Sequence, residues 1–224
     1  LEHELKLIIP ELQVETSQAL LDLYDDLGKI DREILELILK GLALFTYIGW
    51  MKEYAGDMTF QGHRNDFCKI IGLKEDEVRV NSIIHELLKK NYLLNNGRYI
   101  YLSSINITFE IIESMEETEI FDYFNRIMNQ SNQEFLKRFI ERFRDERFKD
   151  KPFVQNIVHT ILRSNIFSHY TAFEGKQNCK LLMDLAQVAP KAVSYKLWLL
   201  FRGVEAQELK EYFQAAFDDT SFFY

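Results

Sequence analysis

Residues 92–102 read YLLNNGRYIYL, in which Asn95-Asn96-Gly97 separates two short runs of aromatic and aliphatic residues. An Asn-Gly turn between two such runs is a strong signal for a β-hairpin. The preceding residues, 73–91, carry apolar side chains at helical spacing on a face formed by Val80, Ile83, Ile84, Leu87 and Leu88. A helix followed directly by a hairpin predicts the second half of a winged helix.

Two further helices complete the predicted winged helix. Asp31 stands where an N-cap residue would, before an apolar pattern that predicts a central helix to about Tyr47. After a polar, glycine-containing stretch, a short helix is predicted to end at Gly72. Three helices and a hairpin give a winged-helix domain at 29–104. The alternative is an all-helical arrangement in which 92–102 is an extended linker.

The remainder of the chain has helical patterns. Amphipathic spacing predicts helices at about 106–129, 132–148, 152–166, 174–189, 191–201 and 205–217. Short connections between them favour a helical bundle or a short helical-repeat array. The predicted fold is therefore mainly α: an N-terminal helical segment (1–28), a winged-helix module with a small β-hairpin (29–104), and an all-helical domain (105–224).

Phenylalanines alternate with charged residues in the segment 132–151, which begins with the helix predicted at 132–148. Four acidic residues, Glu141, Asp145, Glu146 and Asp150, offset more than half of the positive charge in this run. The basic residues of the run are Lys137, Arg138, Arg142, Arg144, Arg147, Lys149 and Lys151. The aromatic residues Phe135, Phe139, Phe143 and Phe148 lie close to helical spacing, as a buried stripe requires. A core helix with a salt-bridged surface is therefore favoured over a site that stacks nucleic-acid bases.

The composition narrows the class of protein. The net charge is -8 and the sequence pI is about 5.3, so the chain repels nucleic-acid phosphates unless its bases gather on one face. No apolar run approaches the ~20 residues that span a bilayer, and we expect a cytoplasmic protein without a membrane partner. The two cysteines suit free thiols in a reducing compartment, and an intramolecular disulfide is left open.

Motifs that carry chemistry are missing from the sequence. There is no phosphate-binding loop, no GxGxxG after a strand, no HExxH and no GxSxG. The five histidines have no pair at the spacing that metal ligands on a helix adopt. We therefore expect no catalytic residue, no metal and no cofactor.

Whether the winged helix binds DNA depends on its third helix, which in DNA-binding members enters the major groove by its N-terminal end. That end carries three acids, Glu75, Asp76 and Glu77, where a DNA reader places Arg, Lys, Asn or Gln. This charge distribution favours a winged helix that packs against another protein surface over one that binds DNA. The alternative is a DNA-binding transcriptional regulator with a helical dimerisation or ligand domain, whose DNA-binding residues would be Arg64, Lys69, Arg79, Lys89 and Arg98.

Several segments resemble one family. Leu42-Ala43-Leu44-Phe45, Ile48-Gly49-Trp50, Ile71-Gly72-Leu73 and residues 80–94 are similar to the winged helix that follows the nucleotide-binding core of AAA-type STAND ATPases, signalling proteins that include bacterial defence sensors. Residues 180–190, KLLMDLAQVAP, followed by Val193 and Leu197, resemble the first helix pair of the helical repeats that come after that winged helix. The chain lacks Walker motifs, so nucleotide binding is not carried over. Because it also begins at Leu1 without methionine, we expect a piece of a longer protein.

The resemblance implies a regulatory role. In that family the winged helix packs on the nucleotide-binding domain and holds the inactive state, and the repeats sense a partner. Neither His63 nor His85 lies in a motif that assigns it a nucleotide phosphate. The expected partner is a protein, either an intramolecular nucleotide-binding domain or a neighbouring subunit. Candidate docking residues are Trp50, Tyr54 and Arg79, because large aromatics and Arg dominate interface energetics, although a core position is the stronger expectation for Trp50.

Overall fold

The computed structural model of the chain describes residues 21–28, 30–50, 58–74, 76–130, 133–169 and 176–204. Residues 21–26 are helical. The elements that follow are α1 (Arg32–Ala43), β1 (Ile48–Gly49), α2 (Met58–Ile70), α3 (Glu77–Lys89), β2 (Leu93–Asn96), β3 (Tyr99–Leu102), α4 (Ile105–Ser114), α5 (Glu117–Met128), α6 (Gln133–Arg142), α7 (Pro152–Arg163), a 3-10 turn (Asn165–Phe167), α8 (Lys176–Val188) and α9 (Pro190–Phe201). The prediction of a mainly helical fold with a small β-hairpin is confirmed.

The three strands form an antiparallel sheet in the order β1-β3-β2. Asn96 of β2 lies opposite Tyr99 of β3, so the hairpin turn consists of Gly97 and Arg98. Gly97 has a φ of +62°, which suits a glycine at the first position of a two-residue hairpin turn. The order helix, strand, helix, helix, hairpin is that of a winged helix, and α3 occupies the position of the recognition helix.

The first helix, α1, begins as the sequence predicts. The Asp31 carboxylate caps it by accepting hydrogen bonds from the backbone N–H groups of Glu33 and Ile34, at 3.1 and 3.4 Å. From Ile34 to Ala43 none of its residues is fully exposed, which agrees with a central position. A Cβ on Gly41 would lie 2.3 Å from Cγ2 of Ile71, so α1 and the end of α2 approach closely at this glycine.

Two predicted boundaries are wrong around β1. The helix α1 ends at Ala43, not near Tyr47, because the chain turns there to enter the sheet. Apolar residues continue through the turn into β1, so the apolar pattern of the sequence does not show where α1 ends. The strand itself is only two residues long, too short to show the alternation by which strands are recognised.

The second helix is longer than predicted. It starts at Met58, within the stretch that the sequence analysis treats as a polar loop, and it contains Gly62. A glycine lowers helix propensity by about 1 kcal/mol, which packing elsewhere along a helix can outweigh. The third helix starts at Glu77 instead of Leu73, and its buried face includes the predicted Val80 and Ile84.

The chain divides into two compact units, residues 1–139 and 140–224. In the first unit, the buried aromatic rings of Phe45, Phe67, Phe124, Phe135 and Phe139 form part of the core. The Phe45 ring meets the Phe67 and Phe135 rings edge-on, with centroids 6.5 and 5.2 Å away. The predicted boundaries at 28/29 and 104/105 stay predictions, because a division by compactness does not define independently folding domains.

The second unit has its own core. Phe143 lies edge-on to Phe148 and Phe153, with ring centroids 5.8 and 5.7 Å apart. All four phenylalanines of the predicted stripe are buried, Phe135 and Phe139 in the first unit and the other two here. Their predicted burial is confirmed, but the single helix predicted at 132–148 is wrong, because α6 ends at Arg142, before Phe143 and Phe148. The helices predicted near 152–166, 174–189 and 191–201 are present as α7, α8 and α9.

Two further predictions fall on the middle and the end of the chain. The single helix predicted at 106–129 is wrong, because the backbone becomes extended at Met115 and Glu116 between α4 and α5. No Gly or Pro marks this break in the sequence. The helix predicted at 205–217 lies outside the described residues. Among the described helices, none has the length and apolar character needed to cross a membrane.

Candidate interaction surfaces

Trp50 lies at a point in the first unit where the strand region, α2 and α3 meet. Its indole Nε1 donates a 3.2 Å hydrogen bond to Oδ1 of Asn81, and its backbone N–H donates to the carbonyl of Arg98 at 3.0 Å. The guanidinium of Arg64 donates two hydrogen bonds to the Trp50 carbonyl and lies 5.1 Å from the indole ring. Arg64 therefore satisfies a buried acceptor, and burial lowers its pKa.

This arrangement locates the predicted docking residues. Trp50 has no exposed surface, so contact with a partner through its side chain would require the core to open. Tyr54 lies outside the described residues. Arg79 is exposed on α3, and its Nη2 donates to Oδ2 of Asp31 at 3.0 Å, while the other oxygen of that carboxylate caps α1.

The outward face of α3 consists of Val78, Ser82, His85 and Lys89, which follow one another at helical spacing. Val78 at the N-terminal end is 87% exposed. The Nδ1 atom of His85 lies 3.1 Å from the carbonyl of Asn81, one turn back on the same helix. This face therefore combines one exposed apolar residue with a small number of polar groups.

The candidate DNA-binding cations have local partners. Lys69 pairs with Asp66 at 3.0 Å and Lys89 lies 3.9 Å from Glu86. Arg79 pairs with Asp31, as described above, and Arg64 is directed at the Trp50 carbonyl. Arg98, half-buried within the hairpin turn, accepts a hydrogen bond at its carbonyl from the backbone N–H of Trp50.

Lys90, which follows the last residue of α3, also has a carboxylate partner. Lys90 Nζ lies 2.6 Å from Oδ1 of Asp26, and this hydrogen bond lowers the pKa of Asp26. The partner acids Asp26 and Asp31 come from residues far from α3 in the sequence. The surface around α3 is therefore closer to neutral than the spacing of its bases suggests.

Arg138, which the sequence did not single out, lies in a buried cluster with Tyr47, Tyr99 and Glu134 in the first unit. Its guanidinium lies 3.4 Å from the ring centroid of Tyr47 and 5.1 Å from that of Tyr99, and it pairs with Glu134. The Nη1 atom is buried without a hydrogen-bond partner. The adjoining crevice, which His63 also lines, is too narrow to admit a water molecule. The cluster therefore fastens α6 to the sheet and leaves no room for a ligand.

The second unit exposes aromatic side chains on α9. Tyr195 and Trp198 stack with ring centroids 5.8 Å apart at 25°, and the Arg202 guanidinium lies 5.3 Å from the Trp198 ring. With Lys191 these residues follow helical spacing, and we call the four the α9 stripe. Trp, Tyr and Arg are the residue types that most often dominate the energetics of protein interfaces.

Within the described residues, no group of three or more His, Cys, Asp or Glu side chains is placed to hold a metal ion. Both cysteines are free thiols, and burial raises the pKa of Cys68 to about 11, which keeps it protonated at neutral pH.

Comparison of the chain with protein-family models, curated proteins and solved structures found no significant match.

Proposed function

We propose that this chain is a non-catalytic regulatory and protein-interaction region of a larger ATPase-type signalling protein. Its winged helix would dock on protein, either an intramolecular nucleotide-binding domain or a neighbouring subunit, and its helical domain would contact a partner. The proposal that the longer protein is an ATPase-type signalling protein, with a role in defence, rests on the sequence resemblance. The proposal that the winged helix docks on protein and does not bind DNA rests on the ion pairs that its cations form with nearby carboxylates.

Binding to DNA depends on unneutralised positive charge. A protein gains affinity by placing Lys and Arg against phosphates and releasing counterions, and each phosphate contact contributes separately. Lys69, Arg79 and Lys89 each have a carboxylate within ion-pair distance, so binding a phosphate would compete with that carboxylate. Asp76 and Glu77 at the N-terminus of α3 add repulsion where the DNA would approach.

Docking on protein agrees with the same surface. Val78 is an almost fully exposed apolar residue at the N-terminal end of α3, next to the exposed Arg79. Rim charges that are already paired cost less to desolvate than isolated ones when a protein partner covers them. The outward face of α3 therefore suits a partner with a small apolar contact and a polar border.

The test is fluorescence anisotropy of a labelled generic duplex titrated with the chain at low and at moderate salt. We expect no binding even at low salt, where electrostatic attraction is strongest. Micromolar or tighter binding that weakens with salt, and that is lost in K89A/R98A, would overturn the proposal. The matched control K151A/R163A removes the same formal charge from exposed positions of the second unit.

One observation favours the alternative of a DNA-binding transcriptional regulator. Ser82, His85 and Lys89 on the outward face of α3 are hydrogen-bonding side chains of the kind that contact base edges or phosphates. Under that alternative, S82A or H85A would change sequence preference in the same anisotropy assay, whereas K89A would weaken binding to every duplex alike.

A further inference from the structure

The α9 stripe lies on the solvent side of its helix. Its members are spaced four, three and four residues apart, which places them on one side of a helix. All four are exposed, Tyr195 at 61% and Trp198 at 55%. Val193, the buried residue of α9, lies on the opposite side. The stripe therefore faces away from the buried side of α9.

The charge of α9 is of one sign. Between Pro190 and Arg202 the sequence contains three bases and no acidic residue. In the part of the chain that the structure describes, no carboxylate lies within ion-pair distance of Lys191 or Arg202. This is the reverse of α3, whose Arg and Lys side chains each have a carboxylate partner. A carboxylate that approaches the stripe therefore displaces no other acid when it pairs with these cations.

Two aromatic rings form the apolar centre of the stripe. Tyr195 and Trp198 already stack on each other, so they lose little side-chain freedom when a partner covers them. Lys191 and Arg202 stand at the two ends, about 16 Å apart along the helix axis at a rise of about 1.5 Å per residue. A complementary ligand should therefore carry apolar side chains at its centre and a carboxylate at each end.

The geometry of a helix surface favours a helical ligand. Backbone groups within α9 are hydrogen-bonded along the helix, so the stripe offers side chains alone. An extended peptide would take its own backbone groups out of water without gaining new partners for them, whereas a helix pairs these groups internally. Two helices also pack readily through apolar residues that recur every three or four positions.

We propose that the α9 stripe binds an acidic amphipathic helix of a partner protein. The partner helix places apolar residues against Tyr195 and Trp198 and an acidic residue against each of Lys191 and Arg202. Because the spacing of the stripe reads the same in both directions, such a helix fits in either orientation. This inference rests on the function proposed above, since it names the kind of partner that the helical domain contacts.

Single-stranded nucleic acid is the other polymer that binds aromatic and basic residues together. Its bases stack on free ring faces, but Tyr195 and Trp198 already stack on each other, and the Arg202 guanidinium lies 5.3 Å from the Trp198 ring. The net charge of -8 also opposes the approach of a polyanion. A short helix with a few carboxylates brings much less negative charge, so these observations favour the acidic helix.

Fluorescence anisotropy of a labelled peptide, titrated with the chain, tests the proposal. The probe is an alanine-based peptide of roughly 20 residues, long enough to form a helix, with Glu, Leu, Leu and Glu at the spacing of the stripe. We expect saturable binding with a Kd on the order of 10–100 µM, as suits a small contact area. Both K191E/R202E, which repels the glutamates, and Y195A/W198A, which removes the apolar centre, should weaken binding at least about tenfold.

The matched control is K151E/R163E, which makes the same change of charge at exposed positions of the second unit outside α9. It should keep the Kd within about twofold, since long-range charge alone acts weakly across a screened solution. A peptide with Lys in place of both Glu residues should bind K191E/R202E and not the wild type, because the ion pairs are present again with their charges exchanged. Far-ultraviolet circular dichroism checks that each variant is folded.

Three results would overturn the proposal. They are no binding of the glutamate peptide to the wild type, an equal loss of binding in K151E/R163E and K191E/R202E, and tighter binding of a labelled oligothymidine that K191E/R202E abolishes. Each of these concerns α9 alone, whereas the duplex titration reports on the winged helix. The two proposals can therefore fail separately.

Discussion

At the scale of single residues, Trp50 and Arg64 act together. From its residue type alone, Trp50 is expected more often in a core than at an exposed docking position. Burial is decided by the hydrogen bonds that Trp50 makes to Asn81 and Arg98, neither of which is near it in the sequence. Arg64, considered as a DNA-binding residue, instead holds the Trp50 carbonyl.

Removal of Arg64 should destabilise the first unit. R64A leaves the buried Trp50 carbonyl without its two donors, and an unsatisfied buried acceptor costs about 1–3 kcal/mol. Urea unfolding followed by far-ultraviolet circular dichroism measures this change. R79A is the control, because it removes an exposed pair that contributes at most about 1 kcal/mol. Equal losses in the two variants would contradict the role given to Arg64.

Tyr123 should make the chain sensitive to alkaline pH. Burial, with a smaller effect of the Glu119 carboxylate, raises the pKa of Tyr123 to about 12 from the ordinary value of 10.0. The unfolded chain therefore loses this proton first, so the stabilisation is complete below about pH 10 and is lost as the pH rises towards 12.

Y123F removes this ionisation. The Tyr123 hydroxyl is buried without a hydrogen-bond partner, so the substitution should be neutral or stabilising at pH 8. At pH 11 the variant should retain on the order of 1 kcal/mol that the wild type loses relative to pH 8. Urea midpoints at the two pH values check the difference. Parallel declines in both proteins would show that Tyr123 does not titrate as described.

At the scale of elements, the hairpin and the amphipathic helices follow from local signals, whereas their junctions do not. The wing is recognisable because Gly97 provides the positive φ that its turn requires. The break between α4 and α5 carries no such residue, and the start of α2 passes through a glycine that normally indicates a loop. Packing against neighbouring elements decides these positions.

The ion pair between Arg144 and Asp184 links the segment after α6 to α8 in the second unit. The Asp184 side chain is 9% exposed and that of Arg144 is 30% exposed. R144A leaves a buried carboxylate without its cation, and such a loss costs about 3–5 kcal/mol. D184A should cost less, because the guanidinium still reaches water.

The double variant R144A/D184A should be more stable than the sum of the single losses predicts, since neither charge is then left alone. Thermal or urea unfolding of the four proteins gives the coupling energy. A larger loss in D184A than in R144A would contradict the proposed asymmetry between the partners.

At the scale of the whole molecule, the acidic balance governs association with polyions. The net charge of -8 is accompanied, on the winged helix, by local pairing of its cations. Proteins with such a charge distribution are repelled by polyanions at distances comparable with the Debye length. The paired cations of the winged helix therefore contribute little attraction for nucleic acid.

Chromatography on charged media checks this expectation. At pH 7 and low salt the chain should pass through a heparin column and be retained on an anion exchanger. Retention on heparin that persists at physiological salt would reveal a concentrated basic face and contradict the neutralisation described for the winged helix. The variant K191A/K196A would then show whether that face is on α9.

The sequence by itself determined the mainly helical class, the hairpin at 92–102 and the buried faces of helices such as α1 and α3, because turn preference and apolar periodicity act over a few neighbouring residues. Only the tertiary structure decided the strand β1, the burial of Arg138 between Tyr47 and Tyr99, and the pairing of Arg79 with Asp31. These features join residues far apart in the chain, and their energies exist only once the fold has brought the partners together.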